Sequence, residues 1–395
     1  MKPLRVADRT RSFKYAVRDV LAVADEAKKA GKSMLYLNIG DPNVFDFALP
    51  EGIIESVTRA LRDGHTSYAP SEGVPAALEA IRAESEGFGF QGIRDVFVGN
   101  GASEAIEIVL TALCNRGEGV LLPYPGYPLY TAIAGKLGID AQPYYLDEAN
   151  GWRPNADDIR AHIQPNTRAL VLINPNNPTG SVYDRACLQE LIEIALEHEL
   201  VILSDEIYAK LTLDGREHLS IASLSDRAPI ITFNGLSKAF LAPGLRVGWA
   251  IVSGPELVLA PLVDACHKLL RARLCASHPM QYAIAPALAD TRHLPEVIAK
   301  LERRRDLTVS RLDAIDGISC VAPEAAFYAF PSLHIEGPDE RFVAEMVRET
   351  GVVVVHGSGF GERPDSSHFR VVYLPTEPVL SEAFDRLEAF MRRHL

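Results

Sequence analysis

The sequence predicts an α/β fold built on a mainly parallel sheet, and two patterns carry this prediction. Short runs of β-branched residues and leucine end abruptly at turn residues, and helical patterns such as 188–199 lie between them. Because these runs are apolar throughout, each strand should be buried on both faces, as in parallel sheets covered by helices. The runs are 120–127, 169–180, 201–208, 230–238 and 247–254.

A smaller α+β domain is predicted at the C-terminus, where the pattern changes after residue 291. A long charged amphipathic helix comes first, and short strands at 326–330, 351–357 and 368–374 precede a final helix. Residues 1–45 should form an N-terminal arm that joins this domain, because Pro42 and Pro50 bracket a linker-like segment. The predicted division is therefore 1–45 with 291–395 as the small domain, and 46–290 as the large domain.

Composition excludes several classes of protein. The chain has 395 residues, 47% of them hydrophobic and 23% charged, which is typical of a globular protein with a large core. A net charge of -12 argues against a nucleic-acid binder, and no apolar run approaches the ~18 residues of a membrane span. The five cysteines form no C-x-x-C pair and no signal-peptide pattern opens the chain, so we expect reduced thiols and a cytoplasmic location.

Four polar side chains follow strand-like runs: Tyr127, Asn177, Asp205 and Lys238. Ligands of α/β sheets bind beyond the carboxyl ends of the strands, so these side chains should converge on one site. Each alone has an ordinary structural explanation, such as a snorkelling lysine, a helix N-cap or a turn asparagine. Their common position at strand ends favours a ligand site, and Tyr208 shares a face with Asp205 in the turn that follows.

An anion site is predicted where glycines precede an amphipathic helix within residues 98–117. The amides of Ala102 and Ser103, together with the helix dipole, would bind a phosphate, although an ordinary helix cap at Ser103 explains the same pattern. Arg246 and Ser237 would complete such a cradle. The glycine-rich stretch 356–370 is not a dinucleotide site, since proline and polar residues follow it, but Arg370 within it suits a carboxylate clamp.

Three ordered motifs, "INPNNPTG", "SDEIY" and "GLSKAFLAPGLRVGW", resemble the fold-type I aminotransferases that use pyridoxal 5'-phosphate, and the likeness covers nearly the whole chain. Within that family, "LNIGDPNVFDF", "RLCASHPMQ" and "VVHGSGFG" are most similar to the alanine aminotransferase branch. The resemblance implies a large domain with a mixed, mainly parallel sheet of the seven-stranded type. It also implies a homodimer with active sites at the interface, a role in amino acid metabolism, and no metal.

The resemblance implies a role for each residue around the cofactor. Lys238 would form the covalent link to the cofactor aldehyde and then act as general base and acid. Asp205 would pair with the pyridine nitrogen, Asn177 and Tyr208 would bind the ring oxygen, and Tyr127 would stack on the ring. The expected phosphate ligands are Gly101, Ala102, Ser103, Ser237 and Arg246. Tyr68 would reach across the dimer interface to the phosphate bound by the partner subunit.

The substrate side of the site is also implied by the resemblance. Arg370 would bind the α-carboxylate with Asn177 nearby, and Gly40 lies on the segment that closes over it. Tyr15 would cover the pocket, and Arg273 or Arg271 would meet a distal carboxylate. One departure is Gly235, because many relatives carry a phosphate-binding serine there.

The predicted reaction is ping-pong transfer of an amino group between L-alanine and 2-oxoglutarate, with aspartate, aromatic and other neutral donors left open. A lyase or decarboxylase of the same fold is the nearest alternative. A nicotinamide-dependent oxidoreductase is disfavoured because no G-x-G-x-x-G turn follows a first strand. A non-catalytic binding protein is disfavoured because the polar set that includes Lys238 and Arg370 is intact.

The substitution Lys238→Ala is expected to abolish amino transfer and leave the fold intact, because no other residue of the motif supplies an amine. Turnover of amino acid to oxo acid, measured beside a circular dichroism spectrum, checks this. Substantial remaining turnover would remove the assigned role of Lys238.

Overall fold

The structure, a computed structural model, describes residues 3–10 and 16–394. Its helices are α1 Ala16–Lys29, α2 Glu51–Arg62, α3 Pro75–Gly87, α4 Ala102–Leu113, α5 Leu129–Leu137, α6 Ala156–His162, α7 Arg185–Glu197, α8 Glu256–Ala272, α9 His278–Gln281, α10 Ile284–Ala289, α11 Leu294–Asp313, α12 Asp339–Thr350 and α13 Glu377–His394. Its strands are β1 Leu35–Tyr36, β2 Ile93–Asn100, β3 Gly119–Tyr124, β4 Asp140–Asp147, β5 Arg153–Pro154, β6 Thr167–Ile173, β7 Val201–Asp205, β8 Ile230–Gly235, β9 Val247–Ser253, β10 Ile318–Ser319, β11 Tyr328–Ala329, β12 Ser332–Leu333, β13 Val352–Val353, β14 Val355–His356 and β15 Phe369–Val372.

The central sheet has eight strands in the order β2-β9-β8-β7-β6-β3-β4-β5. The neighbours β8, β7, β6, β3 and β4 run parallel, while β9 is antiparallel to both β2 and β8. The predicted mixed, mainly parallel α/β sheet is therefore confirmed. The eighth strand is the two-residue β5, which is too short to leave a sequence pattern.

The strand β6 shows why apolar runs predicted burial on both faces. Leu170 and Leu172 pack into one hydrophobic cluster, while Val171 and Ile173 pack into the cluster on the opposite face. Successive side chains of a strand point to opposite faces, so a strand covered by helices on both sides needs apolar residues throughout. This double burial fixes where the strand ends, and the site lies just beyond that end.

The N-terminal segment packs with the C-terminal part of the chain. Strand β1 pairs in parallel with β13, with Leu35 opposite Val352, and α1 contacts α12. The remaining C-terminal strands form one sheet in the order β11-β15-β14 and a second pair, β10-β12. The N-terminal segment therefore lies against the C-terminal part of the chain. Within the described ranges, no helix has the length and apolar character needed to cross a membrane.

A buried arginine ties α11 to the segment that follows β1. The Arg304 side chain is only 1% exposed, and its guanidinium donates hydrogen bonds to the Leu374 carbonyl and to Asp46 at 2.7 Å. The hydrogen bond from Arg304 holds the pKa of the Asp46 carboxyl below its usual range. The contact therefore connects the N-terminal segment, α11 and the end of β15.

The substitution Arg304→Ala should lower the free energy of unfolding by roughly 2–4 kcal/mol, because it removes buried packing and several charge-assisted hydrogen bonds. Denaturant unfolding of the cofactor-free protein measures this. Arg292→Ala is the matched control, since that side chain is 90% exposed in its ion pair with Asp290 and its loss should leave stability almost unchanged. Equal losses in the two variants would contradict a structural role for Arg304.

Candidate active site

A cavity of about 520 Å³ lies beyond the carboxyl ends of β6, β7 and β8. Most of the residues predicted from the sequence line it together. They are Gly40, Ala102, Ser103, Tyr127, Asn177, Asp205, Tyr208, Ser237, Lys238, Arg246 and Arg370. A larger cavity, of about 1030 Å³, adjoins residues 356–364, but none of these predicted site residues lines it. Cavity size alone therefore does not identify the candidate active site.

Asp205 ends β7 as a buried carboxylate, with 4% of the residue exposed. The Tyr130 hydroxyl donates to its Oδ2 at 3.2 Å, and the Ile207 amide donates to its Oδ1 at 3.3 Å. Burial raises the pKa of Asp205 to about 6, while these two hydrogen bonds and the charge of Lys238 oppose the rise. A carboxylate in such surroundings gains from a cationic partner, and a protonated ring nitrogen supplies one.

The turn after β6 contains two asparagines with structural hydrogen bonds and a third that faces the cavity. The Asn174 side chain accepts a hydrogen bond from the Tyr183 amide, and the Asn176 side chain accepts from the amide and hydroxyl of Thr179. Asn177 instead accepts from Arg370 Nη1 at 3.2 Å. Asn174 and Asn176 therefore shape the turn, and Asn177 is left for the site.

Arg370 lies on β15 and is 2% exposed. Its Nη2 donates to the Asn38 carbonyl at 2.9 Å, and its guanidinium lies over two aromatic rings, 4.6 Å from the centre of the Tyr328 ring and 4.7 Å from that of Phe360. An arginine packed against aromatic rings can still make planar, bidentate contacts along its edge, and these contacts suit a carboxylate. The sequence indicated Arg370 but gave no sign of the two rings.

Lys238 meets the segment that contains Gly40. Its ammonium donates to the Gly40 carbonyl at 2.8 Å and lies 5.9 Å from the Tyr208 ring and 5.5 Å from the Phe327 ring. Glycine is needed at position 40, because a Cβ there would lie 2.4 Å from the Tyr328 hydroxyl. The segment thus passes close to the lysine, a contact that the sequence did not predict.

An anion cradle forms at the start of α4. Gly101 precedes the helix at φ 83, and a Cβ on it would lie 2.3 Å from Arg246 Nη2, so only glycine lets the guanidinium approach. Within the described residues, the amides of Ala102 and Ser103 donate to no protein acceptor. With Ser237 on the same cavity, this donor set fits a phosphate.

Gly235, the departure from the family pattern, is explained by packing. A Cβ at this position would lie 2.7 Å from the Val247 carbonyl and 2.9 Å from the Gly248 Cα. The close approach of β8 and β9 therefore excludes a serine here without a backbone shift, and other groups must supply the phosphate contacts.

Three predicted residues lie away from the cavity or outside the described residues. Tyr68 is 78% exposed, and Tyr15 falls outside the described ranges. Arg273 lines a different cavity, where it donates to the Val98 carbonyl and approaches Glu104 at 3.4 Å. Arg18, on α1, lines the main cavity and was missed, because one arginine on an amphipathic helix looks like any solvated charge.

The described part of the chain contains no group of histidine, cysteine, aspartate and glutamate side chains that could hold a metal ion. The polar groups around the cavity instead suit an organic phosphate that carries a cationic ring. Residues 32–387 match the family described as aminotransferase class I and II.

Individual relatives are also aminotransferases. The chain is 40% identical to the glutamate-pyruvate aminotransferase AlaA of Haemophilus influenzae, with 92% of each chain covered. It is 38% identical to the alanine aminotransferase of Mycobacterium tuberculosis, covering 91% of this chain and 86% of the relative. The solved alanine aminotransferase from Pyrococcus furiosus superimposes with a TM-score of 0.94 at 40% identity, covering 98% of this chain and all of the other.

The substitution Asp205→Asn is expected to stabilise the cofactor-free protein by roughly 2–3 kcal/mol above pH 6, because burial raises the pKa of Asp205 from 3.8 to about 6. A raised pKa means that the protonated form contributes full stability below pH 3.8 and that this stability is lost as the pH rises through about 6. The advantage of the variant should therefore vanish near pH 4. Denaturant unfolding at several pH values measures it.

The same variant should bind pyridoxal 5'-phosphate more weakly than the parent protein, since a neutral amide cannot pair with a cationic nitrogen. A variant that is less stable than the parent at every pH without cofactor would show that Asp205 is a structural residue and not a strained, functional one.

Proposed function

The chain belongs to the aminotransferase class I and II family, and from this premise we propose that it is an alanine aminotransferase that exchanges amino groups between L-alanine and 2-oxoglutarate. The observation that carries the proposal is the convergence of Lys238, Asp205 and Arg370 on one cavity of about 520 Å³. A small amino acid held by its α-carboxylate at Arg370 would place its Cα within that cavity.

As a member of this family, the protein uses pyridoxal 5'-phosphate. When bound, this cofactor supplies an aldehyde that combines with amines and a ring that withdraws electron density from the substrate Cα. Asp205 would keep the ring nitrogen protonated, and Asn177 and Tyr208 would donate hydrogen bonds to the ring oxygen. The α4 amides, Ser103, Ser237 and Arg246 would hold the phosphate.

Lys238 has two tasks in this proposal. In the resting enzyme it would anchor the cofactor. Once freed by a substrate amine, its Nζ would take the proton from the substrate Cα and, as a general acid, deliver it to the former aldehyde carbon of the cofactor. Partial burial supports this use of the amine, since the side chain is only partly accessible and borders the rings of Tyr208 and Phe327. The oxo acid product leaves before the second oxo acid binds, so the kinetics should be ping-pong.

An enzyme that accepts both dicarboxylate and small neutral substrates needs a cation that contacts only the dicarboxylates. Glutamate and 2-oxoglutarate carry a distal carboxylate, whereas alanine and pyruvate carry a methyl group. Arg18 suits this role, because it lines the cavity from an exposed position on α1 and can turn toward solvent when alanine binds. We propose Arg18 for the distal carboxylate, a role for which the sequence had suggested Arg273 or Arg271.

We further propose a cytoplasmic homodimer with the domain division predicted from the sequence. Tyr68 supports the dimer, since an aromatic side chain that is 78% exposed suits a contact with a second copy. Its hydroxyl would reach the phosphate of the partner subunit.

The substitution Arg370→Ala should raise KM for alanine, pyruvate, glutamate and 2-oxoglutarate alike, by roughly 10- to 100-fold, because all four share the α-carboxylate. Arg18→Ala should raise KM about 10-fold for glutamate and 2-oxoglutarate only. Steady-state kinetics with each substrate pair measures both effects.

Arg273→Ala is the matched control for the distal site, and we expect it to leave the ratio of glutamate to alanine KM unchanged. A rise confined to dicarboxylates in Arg273→Ala, with Arg18→Ala silent, would return the distal role to Arg273. A protein that forms neither pyruvate from alanine nor glutamate from 2-oxoglutarate would overturn the proposed function.

A further inference from the structure

Tyr328 contacts three parts of the cavity that the reaction uses separately. It begins β11, is 2% exposed, and lines the cavity. Its hydroxyl lies 2.8 Å from the Tyr208 hydroxyl, and its ring lies 4.6 Å from the Arg370 guanidinium. The same hydroxyl occupies the space that a Cβ of Gly40 would need.

The direction of the hydrogen bond between the two tyrosines follows from counting protons. Each phenol hydroxyl has one proton to donate and can also accept. If Tyr208 donates its proton to the cofactor ring oxygen, it must accept from Tyr328. Burial raises the pKa of Tyr208 well above its usual range, so Tyr208 keeps its proton at neutral pH.

We propose that Tyr328 is a positioning residue that donates its hydroxyl proton to Tyr208, strengthens Tyr208 as a donor to the cofactor ring oxygen, and supports Arg370 with its ring. The proposal rests on the proposed function, because it assigns the ring oxygen to Tyr208. Hydrogen bonds in a chain polarise one another, so a donor behind Tyr208 makes the Tyr208 hydroxyl a better donor in turn.

The hydroxyl and the ring of Tyr328 have separable tasks. The hydroxyl acts on the cofactor through Tyr208, while the ring faces the guanidinium that binds the substrate carboxylate. Phe360 also contacts the Arg370 guanidinium, at 4.7 Å, so loss of the Tyr328 ring would remove one of two aromatic contacts and loosen the guanidinium. Removal of the hydroxyl should change cofactor properties, and removal of the ring should add a defect in substrate binding.

The test compares the cofactor-bound parent protein with the cofactor-bound variants Tyr328→Phe and Tyr328→Leu. The visible absorbance of the bound cofactor changes with pH as a proton leaves the nitrogen contributed by Lys238. A hydrogen bond to the neighbouring ring oxygen lowers the negative charge there and makes this proton easier to lose. Tyr328→Phe should therefore move the absorbance midpoint up by about 0.3–1 pH unit and weaken pyridoxal 5'-phosphate binding about two- to fivefold.

The kinetic effects should separate in the same way. Tyr328→Phe should lower kcat about three- to tenfold and keep KM for L-alanine within about twofold. Tyr328→Leu should show the same midpoint shift and also raise KM for L-alanine about tenfold, because Arg370 loses the ring.

Tyr373→Phe is the matched control, since Tyr373 is a fully buried tyrosine of the same small sheet region whose hydroxyl donates to the Ala326 carbonyl at 3.2 Å. It should leave the midpoint and cofactor affinity unchanged. A second test replaces Tyr328 with 3-fluorotyrosine, which keeps the shape but has a more acidic phenol, and it should move the midpoint down.

An unchanged midpoint and unchanged cofactor affinity in Tyr328→Phe would overturn this inference, as would an upward shift with 3-fluorotyrosine. Either result is distinct from a failure of the proposed function, which would appear as a parent protein that binds no pyridoxal 5'-phosphate.

Discussion

The site depends on one buried carboxylate at the end of a parallel strand. Asp205 is 4% exposed, and burial raises its pKa to about 6, so the ionised form is costly until a cation is bound beside it. The sheet imposes this cost, since β7 is covered on both faces and its last residue has little access to water. A cofactor with a protonated ring nitrogen offsets the cost, so cofactor binding and the ionisation of Asp205 reinforce each other.

The same sheet explains why the other groups face Asp205. Parallel neighbours end at one edge, and the chain leaves β6, β7 and β8 there to supply Asn177, Asp205 and Lys238. The small sheets add a second set from the opposite side, in which Arg370 on β15 and Tyr328 on β11 stand on paired antiparallel strands. The cavity therefore lies where the two sets meet, and the hydrogen bond between Arg370 and Asn177 joins them directly.

The sequence revealed features that depend on local pattern and missed those that depend on tertiary contact. Apolar runs identified β3, β6, β7, β8 and β9, whereas β2 and β4 were not among the predicted runs. The antiparallel direction of β9 and the two-residue strands left no periodicity to read. Lys238 and Asp205 could be found because each polar residue follows an apolar run. Tyr130, Tyr328 and Phe360 could not be predicted as site residues. A buried aromatic residue has the same local sequence pattern whether it only packs in the core or also contacts a functional side chain. The sequence could not show whether Arg18 or Arg273 suits the distal carboxylate, because only the fold shows which guanidinium borders the cavity.

We infer that this cavity binds pyridoxal 5'-phosphate and uses it to take the amino group of alanine. The most direct test is the near-ultraviolet and visible spectrum of the purified protein incubated with pyridoxal 5'-phosphate, before and after addition of L-alanine alone. We expect a visible band that disappears on addition of L-alanine, with one pyruvate released per active site. A protein that shows no such band after incubation with the cofactor would contradict this inference.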